Sequence, residues 1–293
     1  MLYNEYDPAT LKRLQGLELG ILKDFVKVCE ENNFTYFGMS GTGIGAVRHG
    51  GFIPWDDDID IAIIREDYEK LVEIFERDYS DKYYILNSEK CDTYPMMTTR
   101  ICLKDSRFVE YAYAKVKDCP LGIFLDVYPL DHVAVDPKEK AKQEKKAWFL
   151  SKFLIMKHIP FPVLTFKGFK AKIIHMTTWC IWAFLNIFRI SHKFLYKRII
   201  AVTRKYNSEP CEEYGFLTPS KIGIAIYPKK DIFPLQKLKF EDIEINFCHE
   251  LDKLLTREYG DYMKLPPVEK RKNHMPYILK FPDEEKTQTE VTV

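Results

Sequence analysis

The sequence predicts an α+β fold, a mixed sheet flanked by helices and carrying a basic, aromatic helical insertion. Three observations lead there. Short runs with the two-residue alternation of strands recur between residues 34 and 128 and again between 222 and 245. Apolar residues at three-to-four spacing mark helices near both ends of that region. Between Lys138 and Lys205, sixteen Lys/Arg face only two acids, Glu139 and Glu144.

The elements follow in order. Thr10 to Glu31 reads as an amphipathic helix, with Leu11, Leu14, Ile21, Leu22, Phe25, Val26 and Cys29 on one face and Asn32-Asn33 ending it. A strand, Phe34–Met39, leads into the glycine-rich stretch Ser40–Gly51, and Asp58–Ile64 alternates as a second strand. Glu66–Tyr79 is helical through Tyr68, Leu71, Val72 and Phe75. Strands are expected at Tyr83–Leu86, Thr98–Leu103, Arg107–Tyr113 and Ile123–Tyr128, and the helical insertion from Pro137 to Lys205. A strand near Ile222–Tyr227, a hairpin over Leu238–Ile245, a helix over His249–Tyr259 and a loose polar tail after Pro282 complete the chain.

The 293 residues, 46% hydrophobic and 30% charged, exclude wholesale disorder, and no repeat or heptad run supports a solenoid or coiled coil. The start has no basic-then-apolar pattern of a secretory signal, and seven scattered cysteines without a C-x-x-C pair read as reduced thiols in the cytoplasm.

The near-neutral total, 44 basic against 43 acidic residues, hides a segregation: residues 138–205 carry +14 and the rest of the chain −13. The same segment holds Trp148, Phe149, Phe153, Phe161, Phe166, Trp179, Trp182, Phe184 and Phe188. Lysines interleaved with Trp and Phe suit an anionic bilayer surface. The uncharged stretch Ile173–Phe188 has only sixteen residues, against the roughly 20 that a span needs. An interfacial or re-entrant insertion therefore fits better than a transmembrane helix. A helical core with a solvated basic face is the alternative. Nucleic acid is the weakest reading, since the aromatics cluster with Ile and Leu in long apolar runs.

The chemistry is concentrated in Gly41-Thr-Gly-Ile-Gly45-Ala-Val-Arg48 and Pro54-Trp-Asp-Asp-Asp58-Ile-Asp60. On a strand, Asp58 and Asp60 project from one face. Two neighbouring carboxylates repel unless a hard divalent cation lies between them, and two Asp oxygens with substrate phosphates make a magnesium site. The glycines let backbone N–H groups approach a phosphate, and Arg48 adds a forked cation. The run is no EF-hand, which needs Gly at loop position six and Glu at twelve, and no P-loop lysine follows. Asp126, inside the apolar run Gly122–Asp131, is the candidate third carboxylate, while Asp131 reads as a turn residue. His49 and His274 are candidate phosphate contacts. Trp55, Tyr94, Tyr111, Tyr113 and Tyr128 are aromatic faces able to hold a trimethylammonium.

At these residues the chain resembles the LicD family of phosphorylcholine transferases and fukutin-type polyol-phosphate transferases. Ser40–Asp60 matches S-G-T-x-x-G-A-x-R-H-x-G-F-I-P-W-D-D-D-I-D almost letter for letter. Asp126 lies in a stretch similar to the D-x-x-P-L-D of the family, and Tyr259–Met263 with Leu265-Pro-Pro267 resembles its Y-G-D-Y-M-x-L-P-P.

The resemblance implies a nucleotidyltransferase-like core in two parts, residues 1–136 and 206–282, separated by the insertion 137–205 and followed by a tail 283–293. It implies Asp58, Asp60 and Asp126 as catalytic and metal ligands (Mg2+ or Mn2+). Gly41, Thr42, Gly45, Arg48, His49, Trp55 and Asp56 are then the substrate-binding set. The donor is CDP-linked, with CDP-choline first and a ribitol- or glycerol-phosphate donor as the alternative. The acceptor is a glycan or lipid-linked glycan of lipopolysaccharide, teichoic acid or capsule type, reached from the inner face of the plasma membrane. A membrane-associated protein that keeps the fold without activity is the non-enzymatic alternative.

Overall fold

Asp7 starts the first helix: its carboxylate accepts the Thr10 N–H at 2.9 Å, and Pro8 fills the first turn, where no N–H is needed. The computed structural model describes residues 5–164 and 166–284. In chain order it gives α1 (Pro8–Glu31), β1 (Tyr36–Gly38), α2 (Ser40–His49), β2 (Asp60–Ile64) and α3 (Arg65–Asp78). There follow β3 (Tyr83–Leu86), β4 (Thr99–Leu103), β5 (Arg107–Glu110) and β6 (Phe124–His132). The insertion forms α4 (Pro137–His158), α5 (Phe169–Ile187) and α6 (His192–Thr203). The chain ends with β7 (Glu213–Gly215), β8 (Ile226–Pro228), α7 (Lys229–Ile232), β9 (Gln236–Phe240), β10 (Ile243–Phe247), α8 (Leu251–Tyr259) and β11 (Pro276–Lys280).

The α+β expectation holds. The central sheet runs β1-β2-β6-β4-β3 and is mixed: only β2 and β6 are parallel. β7 pairs with the last residues of β6 and β8 with β7, while β11 pairs with β5. Alternation decides the two faces. Ile59, Ile61, Ile63, Leu125 and Val127 join Leu14, Ile21, Leu22 and Phe25 of α1 in the main core. Phe37, Ala62 and Leu130 pack with Tyr214, Phe216, Tyr227 and Leu254 on the other side. The insertion has its own small core, Leu154, Leu185, Leu195 and Ile199.

Four expectations change. The glycine-rich stretch is helical, because Ile44, Ala46 and the close packing of Gly43 on Leu251 and Leu255 give it a buried face. The strand from Arg107 stops at Glu110 and closes as a 3-10 turn over Tyr111–Tyr113, whereas β6 runs four residues past Tyr128. The tail is anchored at its start, where Arg13 pairs with Asp283 and, at 3.1 Å, with Glu284; residues 285–293 lie outside the described residues.

The fourth change is Asp131, which is no turn residue. It is buried at the end of β6, where Arg65 Nε and Nη2 reach its two oxygens at 2.8 Å each and Asn207 Nδ2 adds a bond at 2.8 Å. This clamp joins α3, β6 and the chain leaving the insertion. Removing one partner of a buried pair strands the other charge. Asp131→Asn is therefore expected to lower the unfolding free energy by about 3–5 kcal/mol in urea denaturation; a loss below about 1 kcal/mol means the clamp does not hold these elements together.

Candidate active site

The pairing register places the key carboxylates. In the parallel β2–β6 ladder Asp60 stands beside Asp126, and in the antiparallel β4–β6 ladder Arg100 stands beside Asp126. Neighbours in register share a face at a strand spacing of about 4.8 Å. Asp60, Asp126 and Arg100 therefore form one row across three strands. Asp58 precedes β2 by two residues and feels the charge of both aspartates.

Burial makes this row electrostatically strained. Desolvation pushes the Asp60 carboxyl well above the carboxylate range, with Asp58 and Asp126 adding to the effect. Asp56 is raised likewise by burial and by Asp58 and Asp57. Asp58 is pushed up to about 6 by burial, with His274 opposing and Asp57, Asp126 and Glu110 reinforcing. Asp126 also rises through burial, although Arg100 Nε lies 3.2 Å and Nη2 3.5 Å from its oxygens. Asp60 Oδ1 is buried without a hydrogen-bond partner, which is what a carboxylate prepared for a cation looks like. The donor set is all hard oxygen, which fits a magnesium- or manganese-class ion.

Positive partners come from distant segments. Arg100 bridges Asp126 and Glu110, with Nη2 3.1 Å from Glu110, and its guanidinium lies 3.6 Å over the Phe124 ring. His274 donates its backbone N–H to Asp57 Oδ1 at 2.7 Å, and its Nδ1 lies 3.2 Å from Asp58 Oδ2. Burial alone would lower His274, but Asp58, Asp57 and Glu110 outweigh that and hold it well above its ordinary value. Ligand atoms of Asp57, Asp58 and His274 fall within 4.8 Å of one another, and this is the trio that could hold a metal among the described residues; the oxygens of Asp58, Asp60 and Asp126, expected as the ligand set, do not gather as closely. As a cation, His274 occupies the charge position that an ion would take; as a ligand it must first lose its proton.

The other predicted residues divide into supports and rim. Thr42 Oγ1 accepts the Asp60 N–H at 2.8 Å, so its hydroxyl fixes the start of β2. Gly45 is needed for packing: a Cβ there would lie 2.3 Å from the Gly51 carbonyl oxygen. At Gly41 a Cβ would stand 3.0 Å from Asp56 Oδ2, so the bare backbone admits that carboxylate to the first turn of α2. Asp57 is fully buried and accepts the Tyr6 hydroxyl at 2.6 Å, tying both chain ends to the motif.

Arg48 and His49 lie in the last turn of α2, about 10 Å along the axis from Gly41 and Thr42. Arg48 Nη1 donates to the Tyr262 carbonyl at 2.5 Å and Nε to His49 at 2.9 Å, and the guanidinium also feels the charge of Asp56. A single phosphate cradle from all four residues is therefore not formed. The Trp55 face carries the Arg271 guanidinium at 4.1 Å. Tyr94 is fully buried, bonded to Thr98 at 3.0 Å; Tyr113 faces Arg100; Tyr111 lies edge-on to Tyr277 at 5.5 Å; Tyr128 donates to Asp60.

Arg100, Glu110, Arg271 and Glu18 lie outside the sequence motifs, and His274, a candidate phosphate contact by sequence, sits instead against Asp57 and Asp58. Glu18 lies among the apolar positions of α1, fully buried with both oxygens unpartnered. Burial, with Asp57, Asp58 and Asp56, keeps its carboxyl far above the usual range. An acid on an apolar face and an arginine inside an apolar strand were the available signals.

A carboxyl that protonates more readily when folded stabilises the fold only while it holds its proton, so stability falls as pH rises from the unfolded to the folded value. For Asp58, from 3.8 to about 6, that loss is about 3 kcal/mol. The metal-free protein is thus expected to lose stability across that window, and Asp58→Asn to remove this part of the slope. Superimposable pH profiles for the two proteins in chemical denaturation overturn the assignment of Asp58 as a strained carboxyl.

Comparison with known proteins agrees with this geometry. Residues 33–173 match the LicD/FKTN/FKRP nucleotidyltransferase domain. The chain is 29% identical over 272 residues to the lipopolysaccharide cholinephosphotransferase LicD of Haemophilus influenzae, covering 90% of this chain and 96% of that protein. An uncharacterized protein of Rickettsia typhi is 38% identical over 118 residues, 38% of this chain and 33% of its own length. Another from Rickettsia prowazekii is 48% identical over 54 residues, 18% and 20% of the two chains. The similarity to the Haemophilus enzyme runs nearly end to end, and the match to the LicD/FKTN/FKRP nucleotidyltransferase domain spans the carboxylate row.

Proposed function

We propose that this chain transfers phosphocholine from CDP-choline to a hydroxyl of a cell-surface glycan or glycolipid precursor, releasing CMP. It is a phosphotransferase, and its acceptor is a lipid-linked precursor of lipopolysaccharide type at the inner face of the plasma membrane. The observation that carries this reading is the row of Asp60 and Asp126 with Asp58 beside it, all driven toward protonation by burial, with Asp126 raising Asp58 and both of them raising Asp60 further. Only added positive charge lets them ionise together. The name and near-complete coverage of the Haemophilus relative support choline and lipopolysaccharide as donor group and acceptor.

Asp58, Asp60 and Asp126 would hold Mg2+ or Mn2+, which supplies a positive centre for the diphosphate and the leaving CMP. Around them the protein itself positions groups. Thr42 and Tyr128 fix Asp60 from its backbone and its carboxylate. Arg100 holds Asp126 by one edge, and both side chains are buried. Unpaired N–H groups in the first turn of α2, beside Asp56 and Asp60, offer donors to phosphate oxygens. Asp126 is the base proposed to take the proton of the acceptor hydroxyl as it attacks in line. Its raised affinity for a proton suits that task.

A second reading has a specific observation behind it. The Trp55 face that would receive a trimethylammonium already carries Arg271. A neutral polyol such as ribitol- or glycerol-phosphate would not compete with that guanidinium.

The decisive experiment incubates the purified chain with Mg2+ and CDP-choline, CDP-ribitol or CDP-glycerol, with and without glycolipid, and measures CMP. CMP release with CDP-choline supports the main reading, and release with a polyol donor alone transfers it to the second. Diphosphate as product points instead to nucleotidyl transfer. Asp58→Asn and Asp60→Asn are each expected to lower turnover by about 10²–10³-fold or more while keeping the circular dichroism of the wild type. Near-wild-type turnover in either variant sinks the metal assignment. Replacing Thr42 by Val removes the acceptor for the Asp60 N–H; turnover is expected to fall by about tenfold, with most of the loss in kcat rather than KM.

A further inference from the structure

Helix α5 is strongly apolar apart from Lys170, Lys172, His175, Thr177, Thr178 and Asn186, yet among its 19 residues only Ala171 and Leu185 are buried. A helix of that kind is normally enclosed by protein or lipid. Phe169, Ile173, Met176, Phe184 and Ile187 recur at helical intervals along its outer side, and Phe188 extends the stripe. Their exposure is large for such residues, 78% for Phe169, 61% for Met176 and 75% for Ile187. The inner side packs Leu185 against Leu154, Leu195 and Ile199, so the outer side has no counterpart among the described residues.

Charge identifies the partner. From Lys145 to Ser208 there are thirteen Lys/Arg and no acid. At 100° per residue, Lys170 and Lys172 flank the stripe on its two sides at one end, and Arg189 and Lys193 follow its other end. We infer that α5 is a membrane-docking helix that lies in the surface of an anionic bilayer, its outer stripe among the acyl chains and its lysines on lipid phosphates. A second copy of the chain fits less well, because two such faces would bring like charges together. A nucleic acid would leave the stripe uncovered.

Geometry sets the orientation. Among the described residues no single helix is long and apolar enough to cross a membrane, and the pair α5 and α6 is bent by 105°. At about 1.5 Å per residue, α5 is about 28 Å long. Its first turn carries two lysines, and the fold turns back at its end. A helix lying in the plane buries the exposed stripe along its full length, which a crossing helix would not do while its inner side stays on α4 and α6. This surface goes beyond the proposed reaction and is read from lipid binding rather than turnover, so failure of one leaves the other standing.

The test is vesicle flotation of the full chain with phosphatidylcholine alone and with about one-third phosphatidylglycerol, with Trp179 fluorescence and doxyl-lipid quenching as a depth gauge. Binding to the anionic vesicles is expected to be at least about tenfold tighter and to weaken with salt. Lys170→Gln with Lys172→Gln should reduce it roughly tenfold. Ile173→Gln with Ile187→Gln should do likewise while melting unchanged, since both side chains are exposed. Trp179, identified by comparison with Trp179→Phe, should be quenched most by labels near the headgroups. Absence of binding, or equal binding to neutral vesicles, overturns the inference. So does quenching strongest at the bilayer midplane, or a dimer in solution that Ile187→Gln dissolves.

Discussion

Placing two carboxylates side by side on a buried parallel ladder is the constraint to which the rest of this molecule responds. Water would normally screen such a pair, but burial of Asp60 and Asp126 weakens that screening. The row is tolerable only because opposite charge and donors reach it from several directions. Arg100 arrives from β4, Tyr128 from further along β6, and His274 from the stretch before β11. The sheet therefore positions charge first and closes a core second. That ordering explains why an arginine and two hydroxyls interrupt elements that otherwise read as apolar.

The long motif from Ser40 to Asp60 serves this constraint more than it serves direct substrate contact. Thr42 grips the backbone of Asp60, and Gly45 lets the loop after α2 pass close to the helix. Asp57 turns away from the row to receive Tyr6 and the backbone of His274, joining residues separated by most of the chain. Arg48 is spent on Tyr262 in the C-terminal signature, which is why that distant word belongs with the first one. Gly260 closes α8 in a positive-φ conformation just before it. What remains free for a ligand is narrower: Asp58, the open oxygen of Asp60, and the first turn of α2.

Alternation along Ile59–Ile64 and Phe124–Leu130 is a local property, so both strands of the charged row were legible, as was the pairing of Asp58 with Asp60. Their register was not. Which residue of β6 stands beside Asp60 is decided by packing between strands that lie more than sixty positions apart in the chain. The glycine run misleads because glycine lowers helix propensity, and only tertiary burial of Ile44 and Ala46 overrides it. β11 escaped notice since Pro276 and Tyr277 begin it and its partner β5 lies far upstream. His274 and Arg271 carry no local signature at all. Asp131 looked like a turn because Pro129 and His132 surround it, whereas β6 continues through them and delivers it to Arg65.

Charge segregation links the two halves of the molecule. The central sheet concentrates carboxylates, and most of the cations collect on an insertion that leaves the sheet at the end of β6 opposite Asp126. Five residues of strand, about 17 Å, separate that aspartate from the Asp131 clamp that fixes the insertion. At that separation the lysines lie beyond a Debye length of about 8–10 Å and do little to neutralise the carboxylate row. The clamp at the same time makes the orientation of the basic helices a rigid consequence of the sheet. One strand therefore carries the carboxylate row at its start and the anchor of the basic helices at its far end.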